Sequence, residues 1–100
     1  MLYLTQLIYL RPGGEDLFNR FESVVLPLLA EHHGELLLRI RPEAGSFVET
    51  HIDQPYEIHL VSFESRQDFE QYAKNPVRQQ YLPWKEQSVE KIVLIEGKMV

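Results

Sequence analysis

The sequence contains no cysteine, which excludes disulfide bonds, a thiolate nucleophile and cysteine-ligated metal. It also lacks an excess of basic residues: 10 lysines and arginines stand against 15 acidic residues, for a formal net charge of −5. Such a chain does not present the basic surface that neutralises phosphates, so a nucleic-acid partner is not expected.

Long apolar runs are also absent. The longest are Val24–Ala30, which Pro27 interrupts, and Leu36–Leu38, whereas a helix that spans a bilayer needs about 20 apolar residues. The first residues have no basic segment followed by a cleavage site, as a signal peptide would. We therefore expect a cytoplasmic protein with no membrane partner.

The chain has 100 residues, of which 44% are hydrophobic and 25% charged. These values are ordinary for a globular domain, and 100 residues suffice for one core. No internal repeat, low-complexity tract or linker interrupts the chain. We predict a single domain over residues 1–100.

The first third of the chain predicts a strand followed by a helix. Leu2–Leu10 is apolar or β-prone except at Gln6, and the Gly-rich turn at Pro12–Gly14 ends it. Glu15 and the acidic residue after it favour a helix start. Pro27 is expected to kink that helix or cost it one hydrogen bond, and Gly34 to cap its end. The apolar stripe of the helix consists of Leu17, Phe18, Phe21, Val24, Val25, Leu28 and Leu29.

Three further strands are predicted. They are Glu35–Arg41, Tyr56–Phe63 and Lys91–Glu96, the last closed by a glycine, and Phe47–Ile52 is a candidate for an irregular extension of the hairpin.

A second helical region lies between the last two strands. Ser65 and Asp68 match the capping-box pattern at its start. Asn75 and Pro76 end that helix and can begin another turn. Pro83 is expected to interrupt any continuous helix beyond. The residues at helical spacing in this second part are Val77, Tyr81, Trp84 and Ser88.

The predicted order β-α-β-β-α-β defines an α+β fold of the ferredoxin-like type, with four antiparallel strands and two helices on one face. Two helices cover only one face of the sheet, yet the strands are apolar on both. The simplest cover for the second face is the same face of another copy, so we expect a homodimer by sheet-on-sheet packing. The alternative is that splayed strand ends and loops cover it. The first strand illustrates the pattern, with Leu2, Leu4, Ile8 and Leu10 on one parity and Tyr3, Leu7 and Tyr9 on the other.

The sequence resembles the dimeric α+β barrel superfamily, and within it an uncharacterised branch known as a domain of unknown function. The resemblance covers nearly the whole chain and implies a homodimeric barrel. It does not assign an activity, because the superfamily includes cofactor-free monooxygenases, a lactone isomerase and haem-dependent enzymes. Ala44–Gln54 departs from the shorter, Gly-rich hairpin typical of the superfamily. The residues that carry the resemblance are Tyr3-Leu4, Pro27, His33-Gly34-Glu35-Leu36, Leu60–Ser65, Phe69, Tyr72, Asn75-Pro76, Arg78 and Val93–Gly97.

His59 is the main candidate for chemistry, because a neutral imidazole acts as acid or base near pH 7. Glu57 lies two residues away on the same strand face, and Arg39 is expected on the neighbouring strand. These three residues are the candidate catalytic group. The alternative is a structural ion-pair ladder that also includes Glu35 and Arg41.

Four aromatic residues, Tyr9, Tyr72, Tyr81 and Trp84, are candidates for lining a ligand pocket between helices and sheet. The alternative is that they belong to the core.

No metal site is predicted. His51 and Asp53 have the spacing of two ligands on one strand face, but zinc usually takes three or four protein ligands. His32 and His33 are adjacent on a helix, so they cannot chelate one ion together and instead favour the helix C-terminus.

Three functions remain open at this stage. The first is a module that binds a small, partly apolar molecule between helices and sheet. The second is a cofactor-free enzyme of the monooxygenase or isomerase type that uses His59 with Glu57 or Arg39. The third is a purely structural or interaction dimer. None of the three requires a metal or an obligate cofactor.

Overall fold

A computed structural model of the chain describes all 100 residues. Its four strands are β1 (Leu2–Leu10), β2 (Gly34–Ile40), β3 (Glu57–Phe63) and β4 (Val89–Gly97). Its α-helices are α1 (Glu15–Val25), α2 (Arg66–Ala73) and α3 (Pro76–Ser88). Short 3₁₀ segments cover Leu26–His32 and Ala44–Ser46. The first three strands agree with the prediction to within one residue, and β4 begins two residues earlier than predicted.

The strands form one antiparallel sheet in the order β2-β3-β1-β4. This arrangement is compatible with a ferredoxin-like fold. In the register of the sheet, Gln6 lies opposite both His59 on β3 and Leu94 on β4. The molecule measures 36 × 35 × 16 Å, as expected for one sheet covered by one layer of helices.

The covered face of the sheet carries the core. One apolar cluster surrounds Leu4 and Val61, and a second surrounds Ile8 and Phe18. Full burial of side chains such as these contributes about 1.5–3 kcal/mol each. Between the two clusters, β1 carries the polar Gln6, so a polar zone divides the core.

Helix α1 ends two residues before Pro27, where the chain tightens into the first 3₁₀ segment. The proline therefore acts as expected, because it lacks the N–H that an α-helix would use. The prediction that Gly34 caps this region is wrong by one residue. His33 adopts the left-handed conformation with φ 54°, and its N–H bonds to the carbonyl of Leu29. Gly34 instead begins β2, where a Cβ atom would lie 2.7 Å from the Phe63 ring.

The predicted strand Phe47–Ile52 is wrong. After the second 3₁₀ segment these residues form bends, and Val48 is fully exposed. No neighbouring strand offers them hydrogen-bond partners, because β2 pairs only with β3. The Tyr9 hydroxyl attaches the following loop to the sheet by donating to the carbonyl of Asp53 at 2.8 Å.

Ser65 caps α2 by accepting from the N–H of Asp68, while its hydroxyl donates to the Asp68 carboxylate. The expected interruption at Pro83 does not occur, since α3 runs continuously through it. The helix tolerates the proline because that residue is exposed and both helix ends are secured. The Asn75 side chain accepts from two N–H groups at the start, and the Ser88 hydroxyl donates to the Trp84 carbonyl at the end.

The other face of the sheet has no helix over it. Leu38, Ile40, Val93 and Ile95 each expose between 40% and 50% of their surface there. Half-buried apolar residues complete this face: Tyr3, Leu7, Ile58 and Leu60. We call these eight residues the open face. No helix of the chain has the length and apolar character needed to cross a bilayer.

Candidate functional site

Strand β3 directs Glu57 and His59 toward the helices, because alternate residues of a strand share a face. Both side chains are buried, with 0% and 2% of the residue surface exposed. Nε2 of His59 lies 2.5 Å from the Glu57 carboxylate. An ionised carboxylate only accepts hydrogen bonds, so Nε2 carries the proton. In the neutral ring Nδ1 then holds a lone pair, and no protein group bonds to it.

Two arginines at the end of β2 bind the Glu57 carboxylate. Nε of Arg39 and Nε of Arg41 each donate to it at 2.9 Å. Burial alone would raise the pKa of Glu57, but the hydrogen bonds from His59 and the two arginines outweigh it and lower that pKa to about 2. The glutamate is therefore a fixed negative charge that orients the imidazole, as buried carboxylates do in acid–base sites.

Glu35 does not join this group, contrary to the ladder alternative. It pairs with Ser62 on the other parity, while Arg39 pairs with His59 on the helix side. The irregularity between Leu36 and Leu38 changes the parity of β2 between the two positions. The charged cluster thus consists of two arginines, one glutamate and one histidine.

A cavity of about 60 Å³ lies beside His59, between the sheet and the helices. It occupies the polar zone that divides the core, and nine of its fourteen lining residues are hydrophobic. Its polar and charged lining residues are Gln6, Glu22, His59, Arg78 and Lys85.

Glu22 is the functional candidate that the sequence reasoning missed. It lies on α1 and exposes only 7% of its surface, yet no hydrogen bond or ion pair reaches its carboxylate. Burial raises the pKa of Glu22, and electrostatic interactions with His59 and Arg39 oppose that rise. Its position gave a signal, since it falls within the apolar stripe, four residues after Phe18 and three before Val25.

Helix α3 contributes Arg78 and Lys85, which are seven residues apart and therefore on one face. The Arg78 guanidinium lies 5.1 Å from the ring centre of Tyr72, and its buried Nε has no hydrogen-bond partner. Burial, together with the nearby charge of Arg78, lowers the pKa of Lys85. Neither side chain is in an ion pair, although the Glu22 carboxylate at the same cavity interacts electrostatically with both, so two cations face the cavity with one acidic group.

The four aromatic candidates do not come together. Tyr72 lines the cavity and its hydroxyl donates to the carbonyl of Val25. Tyr9 is tied to the loop at Asp53, and its ring lies under the Lys91 ammonium at 4.7 Å. Tyr81 and Trp84 pack against each other with ring centres 4.7 Å apart, and neither lines the cavity.

The remaining histidines lie apart from the cavity. His51 is exposed beside Glu49, and no three potential metal-binding side chains come together anywhere in the chain. His32 contacts the Asn75 amide at 3.0 Å, and His33 lies 3.6 Å from Glu64.

Comparison with known proteins identifies the fold but no family. No family profile and no curated protein matches the sequence. A Rhodopseudomonas palustris protein of unknown function has a similar structure, with a TM-score of 0.86 and 16% identity over 99% of this chain and 82% of that one. A NIPSNAP family protein of unknown function from Agrobacterium tumefaciens has a TM-score of 0.71 and 19% identity over 99% of this chain and 87% of that one. An uncharacterised NIPSNAP domain protein from Burkholderia xenovorans has a TM-score of 0.72 and 10% identity over 100% of this chain and 95% of that one.

At these identities the likeness shows a shared α+β fold and nothing more. It agrees with the expectation of an uncharacterised domain, since these structural neighbours are themselves of unknown function. The chemistry of this chain therefore has to be argued from its own cavity.

Proposed function

We propose that this protein binds a small, partly apolar molecule in the cavity between the sheet and the helices. One observation carries the proposal: the Glu22 carboxylate and Nδ1 of His59 both lie at this cavity without a protein partner. Polar groups in a protein interior are nearly always paired. The only fully buried polar side-chain atom without a partner is Nε of Arg78, so the Glu22 carboxylate and Nδ1 of His59 keep accessible surface with which they can bond to a ligand in the cavity.

The size of the cavity limits the ligand. A volume of 60 Å³ corresponds to about two water molecules in the liquid. The bound part of the ligand is therefore a few atoms, with apolar contacts to residues such as Val25 and Val61 and polar contacts to His59. A larger ligand must extend beyond the cavity.

A cavity-filling substitution tests the proposal. Val25→Leu adds one methylene group to a residue that lines the cavity, and we expect the protein to stay folded but to lose binding of small fragments followed by NMR. Val24→Leu is the matched control, since Val24 is the adjacent residue on α1 and does not line the cavity. Equal fragment binding by both variants would place the ligand elsewhere. Trp84→Ala is expected to leave binding intact, because Trp84 does not reach the cavity.

The orientation of His59 supports a second candidate, a cofactor-free enzyme of the isomerase or monooxygenase type. The lone pair on Nδ1 can take a proton from a bound molecule, and the Glu57 carboxylate stabilises the resulting imidazolium. Arg39 holds Glu57 in place without reaching the cavity itself. In this reading, His59 is the catalytic residue and the other two are positioning residues.

Proton exchange from a small 1,3-dicarbonyl compound into D₂O tests this second candidate. Acetylacetone is a suitable probe, and the rate is expected to fall to the uncatalysed value in His59→Gln. A His59→Ala variant that folds normally and keeps the wild-type rate would refute the catalytic reading.

The open face supports a homodimer, and with it the dimeric barrel expected from the resemblance. Four strands about 4.8 Å apart and about seven residues long present roughly 440 Å² in projection. The largest apolar patch of a monomeric protein is itself about 300–600 Å² and is often functional, so a face of this size is a candidate interaction site. A second copy is the simplest occupant, because a two-fold axis matches the patch to itself.

Native mass spectrometry tests the dimer directly. We expect a mass of about twice 11.8 kDa for the wild type and of one chain for Leu60→Glu. Val48→Glu is the control, since Val48 is exposed in the loop away from the open face. A monomeric wild type would refute the sheet-on-sheet assembly.

A further inference from the structure

A groove of about 480 Å³ runs along α3 and β4 and shares three residues with the cavity: Arg78, Lys85 and Ile92. These side chains form a wall between the two spaces. The groove opens to solvent next to the cavity that His59 lines. Together the two spaces have the volume typical of small-molecule sites, about 300–1,000 Å³.

The charge of this groove is opposite to that of the chain as a whole. It is lined by four cationic side chains, Arg11, Arg78, Lys85 and Lys91, against two glutamates, although acidic residues outnumber basic ones in the full sequence. None of the four cations forms a salt bridge; the ion pairs of the chain use other residues. Two of the four already have other partners, since Nε of Arg11 donates to the carbonyl of Glu86 and the Lys91 ammonium lies over the Tyr9 ring. Arg78 and Lys85 have no carboxylate within ion-pair distance and leave room for an external anion.

The two charged residues of the wall, Arg78 and Lys85, also favour a bound anion. The buried Nε of Arg78 has no hydrogen-bond partner. Burial lowers the pKa of Lys85, and the charge of Arg78 lowers it further against the opposing charges of Glu22 and Glu86. An anion placed between Arg78 and Lys85 would satisfy the orphan donor and remove the repulsion in one contact.

We infer that the wall of Arg78 and Lys85 is a binding site for the anionic group of a small monocarboxylate, whose short apolar remainder enters the cavity beside His59. This inference rests on the function proposed above and names its ligand class. A single negative charge fits better than a phosphate dianion, because Glu22 lies inside the cavity and Glu86 and Glu90 line the groove. The planar carboxylate also matches the planar guanidinium fork.

The charge of the groove also attracts the ligand before contact is made. A cleft with an excess of one sign of charge concentrates ligands of the opposite sign and accelerates their arrival. Arg11 and Lys91 lie along the groove but not at the cavity, so they attract the ligand and Arg78 and Lys85 hold it. Added salt should therefore weaken binding of the anion and leave that of a neutral analogue unchanged.

Butyrate and butyramide form the matched pair of probes, since they share shape and differ in charge. In NMR titrations of the wild-type protein we expect butyrate to bind at least about tenfold more tightly, with shifts at Gln6 and Ile92. Arg78→Gln and Lys85→Gln should each remove about tenfold of butyrate affinity and leave butyramide unchanged, as loss of a charge-assisted hydrogen bond predicts. Arg66→Gln, on exposed α2, is the control cation and should change neither. Thermal melting checks that each variant is folded, and Lys85→Gln alone decides the result if Arg78→Gln does not fold.

The outcomes separate this inference from the function on which it rests. Equal binding of butyrate and butyramide would overturn the carboxylate site and keep the cavity as a ligand site. Butyrate binding that Lys85→Gln does not weaken would also overturn it. Tighter binding of inorganic phosphate than of butyrate would assign the wall to a different anion class and contradict the inference. If neither butyrate nor butyramide binds, both proposals are refuted.

Discussion

Replacing Glu57 by glutamine removes the buried negative charge on which the site is built. The carboxylate accepts hydrogen bonds from His59, Arg39 and Arg41, which together lower its pKa from an ordinary 4.5 to about 2. At 1.36 kcal/mol per pH unit this difference corresponds to about 3 kcal/mol of folding free energy. Because Arg39 and Arg41 are partly exposed, solvent screening reduces the expected value to about 2–3 kcal/mol.

The pH dependence follows from the direction of the shift. A carboxyl group with a lowered pKa in the folded state stabilises the fold above its unfolded pKa, and this stabilisation is lost as the pH falls through the folded pKa. The free-energy difference between wild type and Glu57→Gln should thus be fully present at pH 7, begin to fall below about pH 4.5 and be less than half as large at pH 3.

Urea denaturation at pH 7 and pH 3 measures this difference. Glu96→Gln, which removes an exposed carboxylate paired with Arg66, is the control and should leave the pH 7 midpoint nearly unchanged. A Glu57→Gln effect below about 1 kcal/mol at pH 7, or one of equal size at both pH values, would refute the reasoning about this cluster.

Three further predictions concern single residues. Burial raises the pKa of Glu22, so its charge destabilises the fold increasingly as the pH rises above 4.5; Glu22→Gln should raise Tm at pH 7 but not at pH 4, and a pH-independent change would contradict this. Gly34→Ala should cost about 1–3 kcal/mol in urea denaturation, because the new methyl group would lie 2.7 Å from Phe63. Gly45→Ala, which meets nothing within 4 Å, should be nearly neutral, and equal costs would disprove the close-contact explanation. Ser65→Ala should cost about 1 kcal/mol through loss of the cap of α2, while an unchanged stability would show that the cap contributes nothing.

The strands were predictable because each is a short β-prone run bounded by glycine or proline. The same local patterns placed Glu57 and His59 on one face, since alternate residues of a strand always share one. Position on a strand does not reveal which face the helices cover. The covered face depends on how α1 packs, and in this fold it is the face that carries His59.

The sequence reasoning failed where long-range contacts outweighed local preference. Pro83 remains inside α3 because caps at both helix ends compensate for its missing hydrogen bond. Phe47–Ile52 has strand-like residues but no neighbouring strand. Glu22 looked like a surface charge until the helix was docked, although its place in the apolar stripe of α1 was a usable signal. Buried polar residues at core positions are where functional sites depart from the simple pattern.

The main conclusion is that His59 is held by Glu57 and faces a ligand cavity. The protonation of its two ring nitrogens and their response to a ligand test this conclusion. Long-range ¹H–¹⁵N NMR distinguishes the two nitrogens, and the His59→Gln variant assigns the signal among the four histidines. We expect the neutral ring to carry its proton on Nε2 and butyrate to shift the Nδ1 signal. A proton on Nδ1 of the neutral ring, or an Nδ1 signal that saturating butyrate leaves unmoved, would contradict this conclusion.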